Sequence, residues 1–306
     1  MKLSLLQAKI LDLLTIQQEI RFSKLAKTLK ISQPLLAHHI HTLEKNNIIQ
    51  RFKVVINQNN QEQTYHTLLK VRGTQEQFVR DMQTAKPLFK WVFQTFGEYD
   101  FIIAKKLASP TAYQTMLHEI YQSTDTIESH HTLIETSGTI YNTQFSKSIK
   151  RSMIKYYDVS FPAAPKGIIK LSIIEELKKD ALISQLQLAE KLQISYPTLR
   201  THLQDLKKQH ILIGERIKIN FDQLGLAQYY LFLQCNPSKV STLSSFAEVT
   251  PQIIRLSNCI GEYNAVLELI THNEQETETV ITNIKKILTT NLHSLKLLHK
   301  TKDIKM

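Results

Sequence analysis

The stretch LAKTLKISQPLLAHHIHTLEKNNIIQRFKVVIN (residues 25–57) aligns without a gap with LAEKLQISYPTLRTHLQDLKKQHILIGERIKIN (residues 188–220). The offset is 163 residues, and thirteen of the 33 aligned positions are identical. A shorter match, GEYD at residue 97 and GEYN at residue 261, follows at nearly the same offset. Because a constant offset over most of a chain indicates an internal repeat, the 306-residue sequence is predicted to contain two copies of one two-domain unit.

Each copy begins with three short helical patterns. In the first copy, residues 10, 13 and 14 form one apolar face, a second helix is predicted over 22–29, and Ser32 caps a third helix with Pro34 in its first turn. The alternating basic and apolar residues of IIQRFKVVIN then predict a β-hairpin wing or a strand that leads out of the domain. This order of elements is that of a winged helix-turn-helix.

The remainder of each copy shows four strand patterns with helical patterns between them, in the order βαββαβ of a ferredoxin-like domain. Helices are predicted in the first copy over Gln75–Ala85 and Pro110–Ser123. Strands are predicted over residues 65–71, 88–96, 99–107 and 132–141 in the first copy, and over 227–235, 252–259, 263–271 and 292–302 in the second.

The predicted fold class is therefore α+β, with two copies of a winged helix-turn-helix followed by a ferredoxin-like βαββαβ domain. The segment FPAAPKG (161–167) has two prolines and no periodicity, which predicts a stiff linker between the copies. The predicted domains are a first winged helix-turn-helix at 1–57, a ferredoxin-like ligand-sensing and dimerisation domain at 58–150, the linker at 151–166, a second winged helix-turn-helix at 167–220 and a second ferredoxin-like domain at 221–306.

The formal net charge of +11 is unevenly distributed along the chain. Residues 1–57 hold nine lysines and arginines against three acidic residues, and residues 167–220 hold nine against six. The segments 58–150 and 221–306 are each neutral. Positive charge restricted to the helix-turn-helices and the linker indicates that these parts face a polyanion, and a solvated basic surface is the alternative.

The cysteine content and the apolar runs predict a cytoplasmic protein that does not contact a membrane. Cys235 and Cys259 form no CxxC motif, so buried free thiols in a reducing compartment are expected. Gln7, Lys9 and Asp12 interrupt the N-terminal apolar run at helical spacing, which predicts an amphipathic helix and not a signal peptide. No run of 18 apolar residues occurs.

These motifs resemble the Lrp/AsnC family, the feast/famine transcriptional regulators. The family pattern L-A-x-x-L-x-I-S is matched by LAKTLKIS and LAEKLQIS, R-I-x-x-L-E-x-x-G-I-I by HIHTLEKNNII and HLQDLKKQHIL, and G-x-Y-D by GEYD and GEYN. The sequence departs from the pattern at its arginine, which is His39 and His202 here, and at its glycine, which is Asn47 and His210. The resemblance covers nearly the whole chain.

The resemblance implies that the two βαββαβ domains pair through their sheets and carry a small-molecule effector, such as an amino acid, near the G-x-Y-D turn. One chain would then form an intramolecular pseudo-dimer, which could assemble further into homo-oligomers. A tight turn between strands is the alternative explanation of the same motif. The implied effector-binding residues are Gly97, Tyr99, Asp100, Gly261, Tyr263 and Asn264.

The third helix of each copy is predicted to present a polar face to double-stranded DNA. A rotation of about 100° per residue places Leu36, Ile40 and Leu43 in a buried stripe, with His39 at its edge. The opposite face carries hydrogen-bonding groups and lysine, which suit base edges and phosphates, and basic residues on the wings suit the DNA backbone. The predicted DNA-contacting residues are Gln33, His38, His41, Thr42, Lys45, Arg51, Lys53, Tyr196, Arg200, Thr201, Gln204, Lys208, Arg216 and Lys218.

Other functions match parts of the pattern. His38 and His41 lie one helical turn apart, but a metal site needs further ligands, which neither their neighbours nor the aligned Thr201 and Gln204 supply. Siroheme decarboxylases resemble the same two-domain fold, but the neutral domains show no arginine-rich cluster for tetrapyrrole carboxylates. Helix-turn-helices that serve as protein-interaction modules are a third alternative. We therefore expect a transcriptional regulator with two non-identical recognition helices, no metal, no cofactor and no enzymatic activity.

Overall fold

The structure, a computed structural model, describes residues 2–17, 19–57, 62–85, 91–156 and 167–305. The chain divides into two compact units: unit 1 comprises Met1–Asn59 and Thr139–Leu226, and unit 2 comprises Asn60–Gly138 and Ala227–Met306. Each unit therefore combines two segments that are separated in the sequence. Residues 157–166 of the predicted linker and 88–90 of a predicted strand lie outside the described residues.

The same order of elements occurs in both halves, apart from strand β6 and three short 3₁₀ turns. The first half contains α1 (Leu5–Leu14), α2 (Phe22–Leu29), α3 (Gln33–Lys45), β1 (Ile49–Ile56), β2 (Gln63–Val71), α4 (Gln75–Ala85), β3 (Trp91–Phe96), β4 (Phe101–Leu107), α5 (Pro110–Ser123), β5 (Ile127–Tyr141) and β6 (Met153–Tyr156). The second half contains α6 (Ile168–Lys179), α7 (Gln185–Lys191), α8 (Tyr196–Lys208), β7 (Leu212–Ile219), β8 (Ala227–Cys235), α9 (Val240–Val249), β9 (Ile253–Gly261), β10 (Ala265–Thr271), α10 (Glu274–Leu288) and β11 (Leu292–Lys305).

Unit 1 contains two three-helix cores, one for each helix-turn-helix. In the first, Ile10, Leu14 and Leu36 are fully buried, because residues three or four apart on a helix point to the same side. In the second, Ile173 and Leu199 occupy the aligned positions. Burial of each such side chain stabilises the fold by about 1.5–3 kcal/mol. The helical periodicity of the sequence therefore predicted both cores.

The turns that flank the third helix of each core adopt left-handed backbone conformations. Lys30 (φ 55°) precedes α3 and Asn47 (φ 53°) follows it, and Gln193 (φ 54°) and His210 (φ 52°) occupy the same places around α8. Glycine adopts this conformation at the lowest cost, yet Asn47 and His210 stand where the Lrp/AsnC pattern has glycine. Both turns form without glycine and are closed by backbone hydrogen bonds, from Asn47 N to Glu44 O at 2.8 Å and from His210 N to Lys207 O at 3.0 Å.

The strands that follow the third helices pair with each other and not with a strand of their own helix-turn-helix. β1 and β7 run antiparallel, with Arg51 opposite Lys218 and Lys53 opposite Arg216. The two strands form a separate two-stranded sheet within unit 1. The predicted alternative of a hairpin wing is therefore wrong, because the partner strand lies more than 150 residues away in the sequence.

Eight strands of unit 2 form one closed barrel. Their order is β2-β4-β3-β11-β8-β10-β9-β5, and pairing of β5 with β2 closes the barrel. The four strands of each half are neighbours, and the halves meet where β3 pairs with β11 and where β9 pairs with β5. The expectation of two ferredoxin-like domains that pair through their sheets is corrected accordingly to one shared barrel. An isolated half would expose unpaired backbone groups at its two edge strands, and closure removes these edges.

Side chains of the barrel strands alternate between its interior and the surrounding helices. Leu68 and Tyr99 belong to the interior cluster, together with Tyr263 from the second half. Tyr65 and Leu69 of the same strand, β2, instead pack on α4 and α5. This alternation follows from the two-residue period of a β-strand.

Both cysteines are buried free thiols, as expected. Burial raises the pKa of the Cys259 thiol to about 12, which keeps it protonated at neutral pH. None of the helices in the described part of the chain has the length and apolar character that crossing a membrane requires.

Candidate nucleic-acid interface

The first recognition helix, α3, is oriented by its buried stripe. Ser32 caps it, and its Oγ accepts a hydrogen bond from Leu35 N at 3.4 Å. Leu36 and Leu43 are fully buried and Ile40 nearly so, which turns the opposite side of the helix to solvent. Thr42 is half-buried on this side, and the exposed predicted residues are Gln33, His38, His41 and Lys45.

The second recognition helix, α8, is built in the same way. Ser195 Oγ accepts a hydrogen bond from Thr198 N at 3.2 Å, and Leu199 and Leu206 are fully buried. Some outward side chains also contact their own helix-turn-helix: the Tyr196 hydroxyl donates to Gln185 Oε1 at 3.3 Å. The exposed predicted residues are Tyr196, Arg200, Thr201, Gln204 and Lys208.

The two outward faces differ in chemistry at their centres. Two imidazole rings on α3, His38 and His41, are aligned with the hydroxyl of Thr201 and the amide of Gln204 on α8. A glutamine amide can pair with the N6 and N7 groups of adenine, whereas hydroxyl and imidazole groups make single hydrogen bonds to several bases. The two helices therefore present different hydrogen-bonding patterns, although both carry a lysine at their C-terminal end.

His39 and His202 lie at the edge of the buried stripes, as predicted. Both are half-buried, and the ring of His39 packs edge-on against His38 with a centroid distance of 5.8 Å. The Nδ1 atom of His202 is buried, and no described residue forms a hydrogen bond with it. In the described ranges of the chain, no group of three or more His, Cys, Asp or Glu side chains is placed to hold a metal ion.

The four cations predicted to lie on wings beside the recognition helices share one face of the β1–β7 sheet. Residues opposite each other in an antiparallel pair point to the same face, as do residues two apart in a strand. The other face carries Phe52 and Ile217, which pack on the first helical core. The cationic face is therefore turned away from that core, and contact of Arg51, Lys53, Arg216 and Lys218 with DNA stays a prediction.

The effector candidates of the first half have structural partners in unit 2. Tyr99 is buried in the barrel interior, where burial raises the pKa of its hydroxyl. The Asp100 carboxylate accepts hydrogen bonds from Val71 N at 2.9 Å and from Gln75 Nε2 at 2.7 Å. At Gly97, a Cβ atom would lie 2.8 Å from a backbone oxygen of β11, so the adjacent strand fills this space.

The candidates of the second half repeat this arrangement. Tyr263 is fully buried, and burial raises the pKa of its hydroxyl. The Asn264 amide accepts a hydrogen bond from Cys235 N at 3.0 Å and donates to Cys235 O. A Cβ atom at Gly261 would lie 2.6 Å from a backbone oxygen of β5. An effector bound by the six candidates would have to displace these partners, and the effector site stays a prediction.

A buried charged cluster in unit 2 was missed in the sequence. The Glu135 side chain is fully buried and accepts hydrogen bonds from Arg255 Nη2 at 2.9 Å and from Ser257 Oγ at 2.8 Å. His66 Nε2 lies 3.1 Å from the same carboxylate. The cluster joins β2, β5 and β9, which no sequence spacing relates. One available signal was that Arg255 is the only arginine after residue 216.

Family models match both helix-turn-helices. A model described as "Winged helix-turn-helix DNA-binding" matches residues 168–213, and one described as "MarR family" matches residues 3–57. No curated protein matches the chain in sequence. The chain therefore contains winged helix-turn-helix elements in both halves, as the sequence predicted.

Solved structures of siroheme decarboxylase NirDL resemble nearly the whole chain. One, in complex with an iron-uroporphyrin III analogue, is 12% identical with a TM-score of 0.63, over 96% of this chain and 90% of that chain. Another is 12% identical with a TM-score of 0.64, over 97% and 91%. The structure of Bacillus subtilis LrpC is 20% identical with a TM-score of 0.38, over 44% of this chain and 94% of that chain. At these identities the likeness concerns the fold.

The likeness to NirDL corrects the expectation that the chain has no enzymatic activity. That expectation was based on the lack of an arginine-rich cluster in the sequence of the neutral domains. Because an enzyme has the same fold over 96% of this chain, the fold gives no ground for excluding catalysis. Sequence spacing does not reveal whether cationic side chains form a cluster, because side chains that converge inside a barrel come from strands far apart in the chain.

Proposed function

We propose that this chain is a DNA-binding transcriptional regulator of the Lrp/AsnC type, in which two helix-turn-helices act as an intramolecular pseudo-dimer. One observation carries the proposal: both recognition helices, α3 and α8, belong to one compact unit, and each has a buried apolar side and an exposed polar side. The family models that match both regions support it. The fold alone would leave the function open.

We further infer that the two halves are copies of a single ancestral unit. The aligned segments share thirteen of 33 residues. Left-handed backbone conformations also recur at the same offset, at Lys30 and Gln193 and at Asn47 and His210. The β1–β7 pairing then takes the place of contacts between two separate subunits.

In this proposal each recognition helix enters a major groove with its own set of side chains. Because the symmetry of a bound DNA site follows that of the protein, two non-identical helices favour an asymmetric site. His38 and His41 would contact one half-site, and Arg200 and Gln204 the other. An arginine that pairs with guanine and a glutamine that pairs with adenine would give the second half-site the stronger base preference.

Lysines at the C-terminal ends of the recognition helices supply the part of the DNA affinity that does not depend on base sequence. Lys45 and Lys208 are exposed at aligned positions, where they can neutralise phosphates. Each neutralised phosphate releases a counterion, so affinity falls as salt rises. The cationic face of the β1–β7 sheet, which carries Arg51, Lys53, Arg216 and Lys218, is likewise proposed to meet the DNA backbone.

The decisive experiment is selection of bound sequences from random double-stranded DNA at about 50 and 200 mM salt. We expect an enriched motif without two-fold symmetry and a steep loss of affinity with salt. The Arg200→Ala/Gln204→Ala double variant should lose base preference in one half of the motif only. Absence of any enriched motif would refute the proposal, and a perfect palindrome would refute its asymmetric form.

A matched control is available on the same helix-turn-helix. Lys178 lies on α6, is exposed, and pairs with Glu175 at 2.7 Å. Lys178→Gln removes one positive charge without touching a recognition helix, so the selected motif should not change. Repeating the selection with added amino acids tests the proposed effector, and light scattering of the free protein tests further homo-oligomerisation.

A second candidate function is a tetrapyrrole enzyme similar to siroheme decarboxylase. The full-length likeness to NirDL favours it. Tetrapyrrole carboxylates need cationic partners, and among the described residues of the barrel strands Arg255 is the one arginine. Its guanidinium already pairs with the Glu135 carboxylate, at 2.9 Å, so substrate binding would require this pair to open. We therefore rank this candidate second.

Adding siroheme to the purified protein separates the two candidates. An enzyme of this kind should bind siroheme with a shifted Soret band and release carbon dioxide, and Arg255→Gln should abolish both. A regulator should give neither signal and should retain the selected DNA motif in the Arg255→Gln variant. If neither DNA nor siroheme binds, the remaining alternative is a helix-turn-helix used for protein interaction.

A further inference from the structure

The loop after α1 of the first helix-turn-helix bonds to strand β7 of the second. Gln17 and Glu215 form an isolated antiparallel bridge inside unit 1. Gln17 N donates to Glu215 O at 2.9 Å, and Glu215 N donates to Gln17 O at 2.7 Å. These hydrogen bonds are additional to the β1–β7 sheet and to the packing of Ile217 and Ile219 of β7 on the first helical core.

The bridge depends on a glycine in β7. A Cβ atom at residue 214 would lie well inside van der Waals contact with the carbonyl oxygen of Gln17. Only glycine permits this approach of two backbones. The residue aligned with Gly214 in β1 is Arg51, so β1 cannot accept the same approach from the second helix-turn-helix.

Side chains reinforce the bridge on one side. Glu215 Oε2 accepts a hydrogen bond from Ile20 N at 2.7 Å, and Lys207 Nζ donates to Glu19 Oε2 at 3.3 Å. Lys207 belongs to the recognition helix α8, and Glu19 to the first helix-turn-helix. The contact therefore links one helix-turn-helix directly to the recognition helix of the other.

The reciprocal contact is replaced by bonds within the second helix-turn-helix. Asp180 is the residue aligned with Gln17. Its N–H donates to Glu176 O at 3.0 Å, and its Oδ1 accepts from Leu182 N at 2.9 Å. The loop after α6 thus bonds to itself, whereas the loop after α1 bonds to its neighbour.

We propose that the Gln17–Glu215 bridge is a positioning device that fixes the orientation of α3 relative to α8 and so makes the protein discriminate between DNA sites by the spacing of their half-sites. Ile217 and Ile219 of β7 already pack on the first helical core, and Val54 and Ile56 of β1 pack on the second. The bridge adds a backbone attachment that limits the remaining twist of the two-stranded sheet, and a fixed distance between recognition helices selects a fixed half-site spacing. This inference rests on the proposed DNA-binding function, but the bridge is testable without DNA.

The first test measures the distance between spin labels on the full chain. Labels at Glu44→Cys and Gln209→Cys report on α3 and α8, since both positions are exposed and both native cysteines are buried. We expect a narrow distance distribution that broadens at least twofold in Gly214→Ala. Asp180→Asn, at the aligned position of the second loop, should leave it narrow. An equally narrow distribution in a folded Gly214→Ala variant would overturn the proposal.

A measurement on the unmodified chain covers the case in which Gly214→Ala does not fold. The bridge should protect the amide protons of Gln17 and Glu215 from exchange with solvent as strongly as those of the β1–β7 sheet. Exchange of the Gln17 amide at the rate of an unbonded loop amide would overturn the proposal.

The second test uses DNA with a variable number of base pairs between the selected half-sites. The unaltered chain should prefer one spacing by about tenfold, and Gly214→Ala should reduce this preference to about twofold or less. Affinity for a single half-site should not change. Unchanged spacing preference in Gly214→Ala overturns the positioning role, whereas failure of every variant to bind DNA, with a normal spin-label result, overturns the proposed function and leaves the bridge intact.

Discussion

The two helix-turn-helices bury apolar side chains at the same aligned positions but have different attachments to the rest of unit 1. Asp12 on α1 is buried, and its carboxylate accepts hydrogen bonds from Phe145 N at 2.8 Å and Ser146 N at 2.9 Å. The aligned residue on α6, Glu175, is exposed and pairs with Lys178 of its own helix. The first helix-turn-helix is thus bonded to the segment after β5 and to β7, and in the described part of the chain no such bond to another segment is found at the aligned Glu175 and Asp180. Two helix-turn-helices with equivalent apolar cores can therefore hold their recognition helices in unequal surroundings.

The largest expected effect concerns this difference in attachment. Asp12→Asn replaces one acceptor oxygen by an amide donor that faces Ser146 or Phe145, so a partly buried N–H group loses its partner. The free energy of unfolding should fall by about 3 kcal/mol. Glu175→Gln, at the aligned exposed position, should change it by less than about 0.5 kcal/mol. Urea titration followed by circular dichroism measures the free energy of unfolding of both variants. Equal losses in the two variants would show that the two helix-turn-helices are attached alike.

The next effect concerns the outward faces. His38→Ala/His41→Ala should lower DNA affinity by about tenfold and relax base preference in one half-site, and Thr201→Ala/Gln204→Ala should do so in the other half-site. Fluorescence anisotropy with the selected DNA and single-base variants measures this. If both double variants relax the same half-site, the recognition helices do not act separately.

The shared lysines should behave alike in the two helices. Lys45→Gln and Lys208→Gln should each reduce the slope of log affinity against log salt by about 1, with no change in base preference. Lys178→Gln is the control that should leave the slope unchanged. A slope change for only one of the two lysines would mean that only one helix lies near phosphates.

The smallest effect is a pH dependence at the bridge. Burial raises the pKa of Glu215, and the nearby Glu19 carboxylate adds to the rise. The ionised form of Glu215 therefore lowers the stability of the folded protein. This stability is regained as pH falls through the folded-state pKa of Glu215 toward 4.5. Burial of Glu19 is outweighed by its bonds to Arg21 and Lys207, which lower the pKa of its carboxyl group. The stability that ionised Glu19 contributes to the folded protein is therefore lost below pH 4.5. Glu215→Gln should remove only the gain in stability that occurs as pH falls toward 4.5, and it should leave the loss of stability below 4.5 in place. Unfolding titrations at several pH values measure it, and an unchanged profile would contradict the assigned shift.

Much of the local structure followed from the sequence because its causes are local. Leu36, Ile40 and Leu43 lie on one side of a helix by the helical period alone, and this also predicted which side of α3 and α8 faces outward. The strand and helix bounds in unit 2 agree with the predicted patterns to within a few residues at most ends. The start of β5, at Ile127 and not near residue 132, was the largest error among the described strands.

The candidate interface was only partly predictable. Helical periodicity placed the outward side chains of α3 and α8, but the positions of Arg51 and Lys218 depend on a strand partner in the other half of the chain. The Glu135 cluster likewise joins three strands, and two of its members are 120 residues apart. No periodicity or spacing relates such residues before the barrel closes.

The sequence by itself determined the two helix-turn-helices, their cores and the repeated order of elements, because hydrophobic periodicity and helix caps act over a few residues. Only the tertiary structure decided that β1 pairs with β7, that two half-sheets close into one barrel, and that Ile20 bonds to Glu215 across 195 residues of sequence. Such pairings are set by which unpaired edges and backbone groups can satisfy each other once the helices and strands have packed.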